Sequence, residues 1–410
     1  MVSVMKRAVP AGVTVGVMER LGGYMADIAG GLVRSEQRRS AAVYARGLLE
    51  AGARKSLEPI VGRLGEDGDY EALQHFLADS PWDPVVIQRA VAERVTPEIG
   101  VEAWVIDDTG IPKDGKHSPG VKRQYSGTLG KIGNCQIAVS LHAVGERGTL
   151  PLGWALYLPA EWCEDRRRRE KAKIPEDLQF QTKPRLAAGL IRQAAGWQVD
   201  TAPVLGDAAY GENTLLRSGL DADGIEYVLA VNPDTTIFEP GTTFHVPERK
   251  PGPGRNPAAY HADRDQISVG AYAQTLAAED FHTVAFRGSG ESEINSRFAF
   301  CRITAANPVK RERVAPREEW LIIEWPEGAE RPIDYWLSNL PADTDPERLA
   351  RLARLRWIIE LDYRQLKGEL GLDHYEGRSY AGFHHHCAIV TAAHGFLTLE
   401  RLDPKAQRPA

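Results

Sequence analysis

Cysteine is scarce in this chain: four residues in 410, Cys135, Cys163, Cys301 and Cys387, with no CxxC pair and no histidine at zinc-finger spacing. That argues against a disulfide-stapled fold and a structural zinc site, and it points to reduced thiols with structural roles in a cytosolic protein. Long apolar runs are missing as well. No stretch approaches the roughly 18 residues a membrane helix needs, and the N-terminal MVSVMKRAVPAGVTVGVMERL has no apolar run closed by a cleavage signal, so neither insertion nor export is expected. There is no internal repeat, no low-complexity tract and no clear helix-turn-helix signature. A basic excess is also lacking: 50 Lys and Arg against 56 Asp and Glu leave a formal charge of −6, mildly against a nucleic-acid partner. A protein that handles DNA needs a basic path rather than a basic total, however, and a catalytic carboxylate cluster adds acid where a metal sits.

What is present is a length of 410 residues, enough for two or three domains, and a 43% hydrophobic fraction, enough to bury a core. From Glu19 to about Arg94, apolar residues recur at threes and fours through SAAVYARGLLEAG and YEALQHFLAD, broken at Gly65, Gly68 and Pro81. This predicts an all-helical N-terminal domain over 1–96. The period then changes. WVIDD at 104–108, NCQIAVSLHAV at 134–144 and LPLGWALYLP at 150–159 predict three consecutive antiparallel strands. A charged segment, CEDRRRREKAKIP, precedes a helix from about Lys183 to Gly196; a short strand, APVLGD, ends on Asp207; a further helix and the strand IEYVLAV at 225–231 follow. The class is α/β, and the order β-β-β-α-β-α-β over 97–232 is that of a ribonuclease H-like core, although order alone does not fix a function. Residues 233–340 lose helical periodicity: RKPGPGRNP reads as a loop and FHTVAFRG, SRFAFCRIT, EWLIIEW and DYWLSNL as strands, a β-rich insertion that interrupts the core. A C-terminal helical part of the core, 341–400, opens on Asp345-Pro346 with a long helix to about Leu370, stopped by Gly371, and 401–410 is a tail.

Two acidic sites stand where an apolar strand meets a turn: Asp107-Asp108 after Trp104-Val105-Ile106, and Asp207 after Val204-Leu205-Gly206. Ligands collect at strand ends in open α/β sheets, but aspartate is also common in turns. On the predicted helix RWIIELDYRQLKGEL, Arg356, Glu360, Arg364 and Lys367 fall at spacings of four, four and three, on one face. One carboxylate among three cations suits a site that holds metal ions and grips phosphate; it also suits an exposed face of ordinary ion pairs. His384, His385 and His386 are adjacent on a helix, where side chains diverge around the axis and cannot all reach one ion.

These residues, taken with their surroundings, resemble the DDE transposases of bacterial insertion sequences, in the group whose third acid lies in an Arg-x3-Glu-x6-Lys signature after a β-rich insertion. The signature here is Arg356, Glu360 and Lys367, and the resemblance extends over roughly residues 30–395. It includes DDTGIPKDGKHSPGVKRQYSGTLGKIGNCQIAVSLH at 107–143, GDAAYG at 206–211 and YWLSNLPADT at 335–344. One departure is Ala353, where the family often has a tyrosine; Tyr363 is a candidate substitute.

The resemblance implies that Asp108, Asp207 and Glu360 are catalytic and hold two Mg²⁺ ions, with Mn²⁺ able to substitute. The family's acid directly precedes the threonine, which selects Asp108; on the strand's two-residue period Asp107 is its rival, and the choice rests on register. Arg356, Arg364, Lys367, Lys122 and Arg123 would bind DNA phosphates, with Lys113 and Lys116 in the same Gly-rich segment as Lys122 and Arg123; the alternative reading of that segment is a solvated loop. The run Arg166–Arg169, flanked by Glu164, Asp165 and Glu170, reads equally as a solvated helix end. Trp320, Trp325 and Trp336 could stack on an unpaired base, although core packing suits most of them. The implied partners are double-stranded DNA, both the element's terminal inverted repeats and target DNA, and a second copy of the chain when DNA is bound. The implied location is the bacterial cytoplasm at the nucleoid. Two other readings stay open: a recruited, transposase-derived DNA-binding or regulatory protein, and a carboxylate-metal phosphohydrolase for small substrates, which the helical domain and the insertion disfavour.

Overall fold

The computed structural model describes residues 15–127, 130–247, 259–287, 293–309 and 315–403. It is a mixed α/β structure of two compact units, one running to residue 201 and resuming at 357, the other spanning 202–356.

Among the described residues, the first unit opens with the α-helices α1 (Val15–Ile28), α2 (Ser35–Leu49), α3 (Leu57–Leu64), α4 (Tyr70–Ala78) and α5 (Pro84–Ile99). Their ends follow local chemistry. Asp69 accepts from the Ala72 amide at 3.0 Å, and Asp83 from the Val85 amide at 2.9 Å with Pro84 behind it, so both cap orphan amides. Gly100, at φ 65°, closes α5 in the left-handed region. Four strands follow: β1 (Val101–Pro112), β2 (Lys122–Ser126), β3 (Lys131–Gly145) and β4 (Gly148–Tyr157). β3 is central, with β1 along one edge and β2 then β4 along the other, all antiparallel. The three strands expected from the sequence are β1, β3 and β4. β2 is an addition, because KRQYS has no apolar alternation for periodicity to detect. Lys122 and Arg123 therefore lie on a strand and not in a loop.

Next come α6 (Ala160–Glu164), α7 (Arg166–Ala172) and α8 (Lys183–Ala195). Most of the arginine run is occupied within the fold. Arg166 pairs with Glu170 at 2.8 Å, Arg168 lies 3.7 Å over the Trp162 ring, and Arg169 donates to the carbonyls of Cys163 (3.1 Å) and Leu178 (3.0 Å).

In the second unit, β5 (Val204–Gly206), α9 (Ala208–Gly211), α10 (Thr214–Ala222) and β6 (Tyr227–Val231) form a β-α-β step with the strands parallel. There follow β7 (Thr236–Phe238), β8 (Phe244–His245), β9 (His261–Ala262), β10 (Ile267–Ser268), α11 (Val269–Ala273), β11 (His282–Arg287), β12 (Glu293–Ala305), β13 (Glu318–Pro326), β14 (Asp334–Ser338) and α12 (Pro346–Leu355). The four strands expected in the β-rich segment are β11 to β14; RKPGPGRNP lies outside the described residues. These strands continue the sheet that starts at β5, in the order β10-β7-β12-β13-β14-β6-β5, with β11 also on β12. β14 thereby satisfies the backbone edge of β6 that would otherwise be open. Trp320 and Trp336 are buried, and Trp320 Nε1 donates to the Pro341 carbonyl at 3.0 Å. Trp325 carries the Arg297 guanidinium 4.4 Å over its ring.

Back in the first unit, the chain forms α13 (Ile358–Gly368) and α14 (Tyr380–Leu402). The single long helix expected from Asp345 is in fact two, α12 and α13, interrupted at Arg356-Trp357, where the division between units also falls. Backbone angles there stay helical, φ −55° at both residues, so no proline or glycine announces the break. Gly371 is the expected stop: at φ 66° its amide donates to Lys367 and the Leu372 amide to Leu366. α14 is apolar on nearly every side and buried, packing on α2, α4, α5 and β4.

Candidate active site

β1 is a buried strand interrupted by two half-buried acids: Trp104, Val105 and Ile106 are fully covered, then Asp107 and Asp108, then covered again to Ile111. Register separates the acids. Asp107 lies opposite Ser140 on β3, which lies opposite Trp154 on β4; Asp108 lies opposite Val139, which lies opposite Ala155. Successive side chains take opposite faces, so Asp107 shares a face with Ser140, His142 and Trp154, while Asp108 faces the other way with Leu141 and Gly153. The helices agree. Trp154 Nε1 donates to Thr391 of α14 at 3.0 Å on the first face, and a Cβ at Gly153 would meet Leu190 of α8 on the second.

On its face, Asp108 Oδ2 accepts from Nζ of Lys183, at the start of α8, at 2.9 Å. The pair is only partly covered, with side-chain exposures of 22% and 33%, so water and ions reach it. Sequence reasoning missed Lys183, and no local spacing could reveal a partner 75 residues away.

Beneath the other face lies a buried polar chain. Asp362 of α13 accepts from His142 Nδ1 through one oxygen and from the Thr149 hydroxyl at 2.6 Å through the other, and His394 Nε2 lies 3.1 Å from it. His142 Nε2 meets the Ser140 hydroxyl at 3.0 Å, and Ser140 meets the Tyr363 hydroxyl at 2.6 Å. Burial pushes the Asp362 carboxyl up, but the His394 charge and the His142 bond outweigh it and hold the group well below the ordinary carboxylate range. Burial drives the Tyr363 phenol up, and the nearby Asp107 carboxylate adds to that. Tyr363 is therefore committed inward, to Ser140. The signal for this chain was visible in the sequence: Ser140 and His142, two apart, are polar residues on one side of an otherwise apolar strand.

α13 divides the signature residues. Glu360 and Arg364 are exposed and Lys367 is half-buried, its Nζ donating to the Gly110 carbonyl of β1 at 2.9 Å. Burial brings the Lys367 ammonium down to about 8. Arg356 is half-buried at the end of α12 and so does not share a continuous helix with Glu360. Ala353 is buried within α12.

Asp207 lies in the second unit, half-buried directly after β5. Its Oδ1 accepts from the Ala209 amide at 2.9 Å, capping α9, and its second oxygen is left for other partners. The rest of GDAAYG is explained by packing: a Cβ on Gly211 would stand 1.8 Å from the Ala230 carbonyl of β6, so only glycine lets α9 lie this close.

Of the basic residues after β1, Lys113 donates to the Tyr375 carbonyl, and burial brings it down to about 8. Lys116 and Arg123 are exposed, and Lys122 pairs with Glu161 at 2.9 Å. The three histidines diverge as expected. His384 accepts from the Leu156 amide at 3.3 Å, His385 stacks on Trp82 at 4.0 Å, and His386 accepts from Tyr44 at 2.9 Å. All four cysteines are free thiols. Among the described residues, no three His, Cys, Asp or Glu side chains gather as a preformed metal cage.

Two comparisons bear on this arrangement. The family described as DDE superfamily endonuclease matches residues 27–292, a span that contains Asp107, Asp108 and Asp207 and ends before α13. A probable transposase for insertion sequence element IS701 from Microchaete diplosiphon is 27% identical over 332 residues, covering 78% of this chain and 73% of that protein.

Proposed function

The chain belongs to the DDE superfamily endonucleases, and from that premise we propose that it is the transposase of an insertion sequence, cutting and joining transposon-end DNA by metal-dependent phosphoryl transfer. The observation that carries the reading is Asp108: a carboxylate fixed in the middle of a buried strand, yet open enough to exchange its lysine for another cation. We assign Asp108, Asp207 and Glu360 as catalytic and metal-holding. Their donor set is all carboxylate oxygen, which fits a hard divalent ion such as Mg²⁺ or Mn²⁺. When bound, two such ions would activate the attacking water or 3′-hydroxyl and stabilise the leaving oxygen.

The protein's own groups do the remainder. Lys183 pairs with Asp108 and orients its carboxylate. The chain Asp362–His142–Ser140–Tyr363 ties α13, which carries Glu360, to the β3 strand beside β1. Arg356, Arg364 and Lys367 grip phosphates near the scissile bond, and Lys122 and Arg123 do so further along the duplex. On this reading 97–232 and 341–400 form a ribonuclease H-like core, 233–340 its β-rich insertion and 1–96 a DNA-binding helical part. The protein acts as a homodimer on its element's inverted repeats.

Purified protein with Mg²⁺ or Mn²⁺ is expected to cleave duplex DNA bearing the element's terminal repeats. Asp108→Asn, Asp207→Asn and Glu360→Gln should each abolish cleavage while sparing DNA binding in a gel-shift assay. Asp107→Asn tests the rival acid and should retain activity. Robust cleavage by the first three variants would overturn the assignment, and loss only in Asp107→Asn would transfer the role to that residue.

A further inference from the structure

Beyond the phosphate contacts assigned to Lys122 and Arg123, the β2–β3 hairpin has an unusual surface. Tyr125 and Ile132 are directly opposed across the two strands and lie 66% and 59% exposed. A cross-strand aromatic–aliphatic pair normally contributes by burial, and here it faces solvent. Arg123 lies on the same face two residues before Tyr125, and Lys122 and Lys131 point to the other. From Lys122 to Asn134 the sequence KRQYSGTLGKIGN holds three basic residues and no acidic one, in a chain whose formal charge is −6. Gly127, Gly130 and Gly133 carry no side chains, and Gly130 sits at φ 61° in the turn. Pairing with β1 reaches only to Cys135, so residues before Asn134 project past the end of β1 as a two-stranded ribbon.

We propose that this ribbon is a DNA-contacting finger, with Tyr125 and Ile132 against bases and Arg123 and Lys131 on flanking phosphates. Two-stranded ribbons fit the major groove, an aromatic side chain can stack on an exposed base, and basic side chains attract the phosphate backbone. The inference rests on the transposase reading and adds a contact to it. Val139, opposite Asp108, lies seven residues beyond Ile132 on β3, which is about 23 Å at a strand's rise. For DNA running along β3, that places the finger about seven base pairs from a phosphate held at Asp108.

The test uses full-length protein carrying Asp108→Asn, so that DNA stays intact, in fluorescence anisotropy against two probes: a fully paired duplex of arbitrary sequence, and the same duplex with a single-stranded overhang. Adding Tyr125→Ala with Ile132→Ser should weaken binding about tenfold, the usual effect of losing one base–aromatic stack. Loss on both probes indicates groove contact, and loss on the overhang alone indicates stacking on an unpaired base. Tyr125→Phe should restore affinity. Arg123→Ala with Lys131→Ala should reduce the slope of log affinity against log salt by about two. Unchanged circular dichroism and melting temperature establish that these exposed positions leave the fold intact. If the parent binds DNA and the hairpin variants bind it equally well, the finger is overturned and the transposase reading stands; if the parent binds neither probe, both fall. A changed mass in light scattering with unchanged DNA affinity would make the hairpin a contact between copies and would likewise overturn the proposal.

Discussion

At the scale of single residues, the acids that matter are distinguished by what they touch and not by their type. Asp107 and Asp108 are adjacent and equally half-buried, but one shares a face with Ser140 and Tyr363 and the other holds Lys183. Asp362 is two residues from Glu360 and its opposite in environment: Glu360 is exposed, whereas Asp362 is buried between two histidines and a threonine. Removing one partner of a buried charged set leaves the others uncompensated and costs about 3–5 kcal/mol. Asp362→Ala is therefore expected to lower stability by that order in urea unfolding at neutral pH. Because the folded carboxyl is held well below its ordinary value, its stabilisation is complete above the ordinary carboxylate range and is lost progressively as pH falls from that range towards the depressed folded value. The wild-type advantage over the variant should shrink in acid; an advantage that grew there would refute the linkage.

At the scale of elements, β1, β3, β4 and most of the strands of the second unit were legible because each is an apolar run bounded by turn residues. β2 was not, because it is polar and sits on the margin of its sheet. The helix break at Arg356-Trp357 was not legible either. Backbone angles hardly change there, and what divides α12 from α13 is that each buries its apolar stripe in a different unit. GDAAYG was recognisable as a motif, but only the packing of α9 on β6 explains its last glycine. Gly211→Ala should force α9 off β6 and cost about 1–3 kcal/mol, the usual penalty for overpacking, read as a lower melting temperature of the full chain. An unchanged melting temperature would show that the contact yields without cost.

At the scale of the whole molecule, the first unit is assembled from chain segments far apart in sequence. α14 is covered by helices α2, α4 and α5 and by β4, with its histidines bonded to Leu77, Trp82, Tyr44 and Leu156. Ending the chain before Tyr380 removes that whole buried helix. The truncated protein should expose the opposing apolar surfaces and lose cooperative unfolding, seen as rapid proteolysis and a broadened thermal transition; a sharp transition would mean that α14 is dispensable to the unit.

The sequence by itself determined the class, the main apolar strands and helices, the three candidate acids and the family, since each depends on local patterning or on motifs a few residues long. Tertiary structure decided which face each acid of β1 takes, that Lys183 neutralises Asp108, that Lys113 and Tyr363 serve the interior, and that β2 carries an exposed basic ribbon. Those outcomes depend on strand register and on contacts between residues tens to hundreds of positions apart, and periodicity along a chain carries no information at that range.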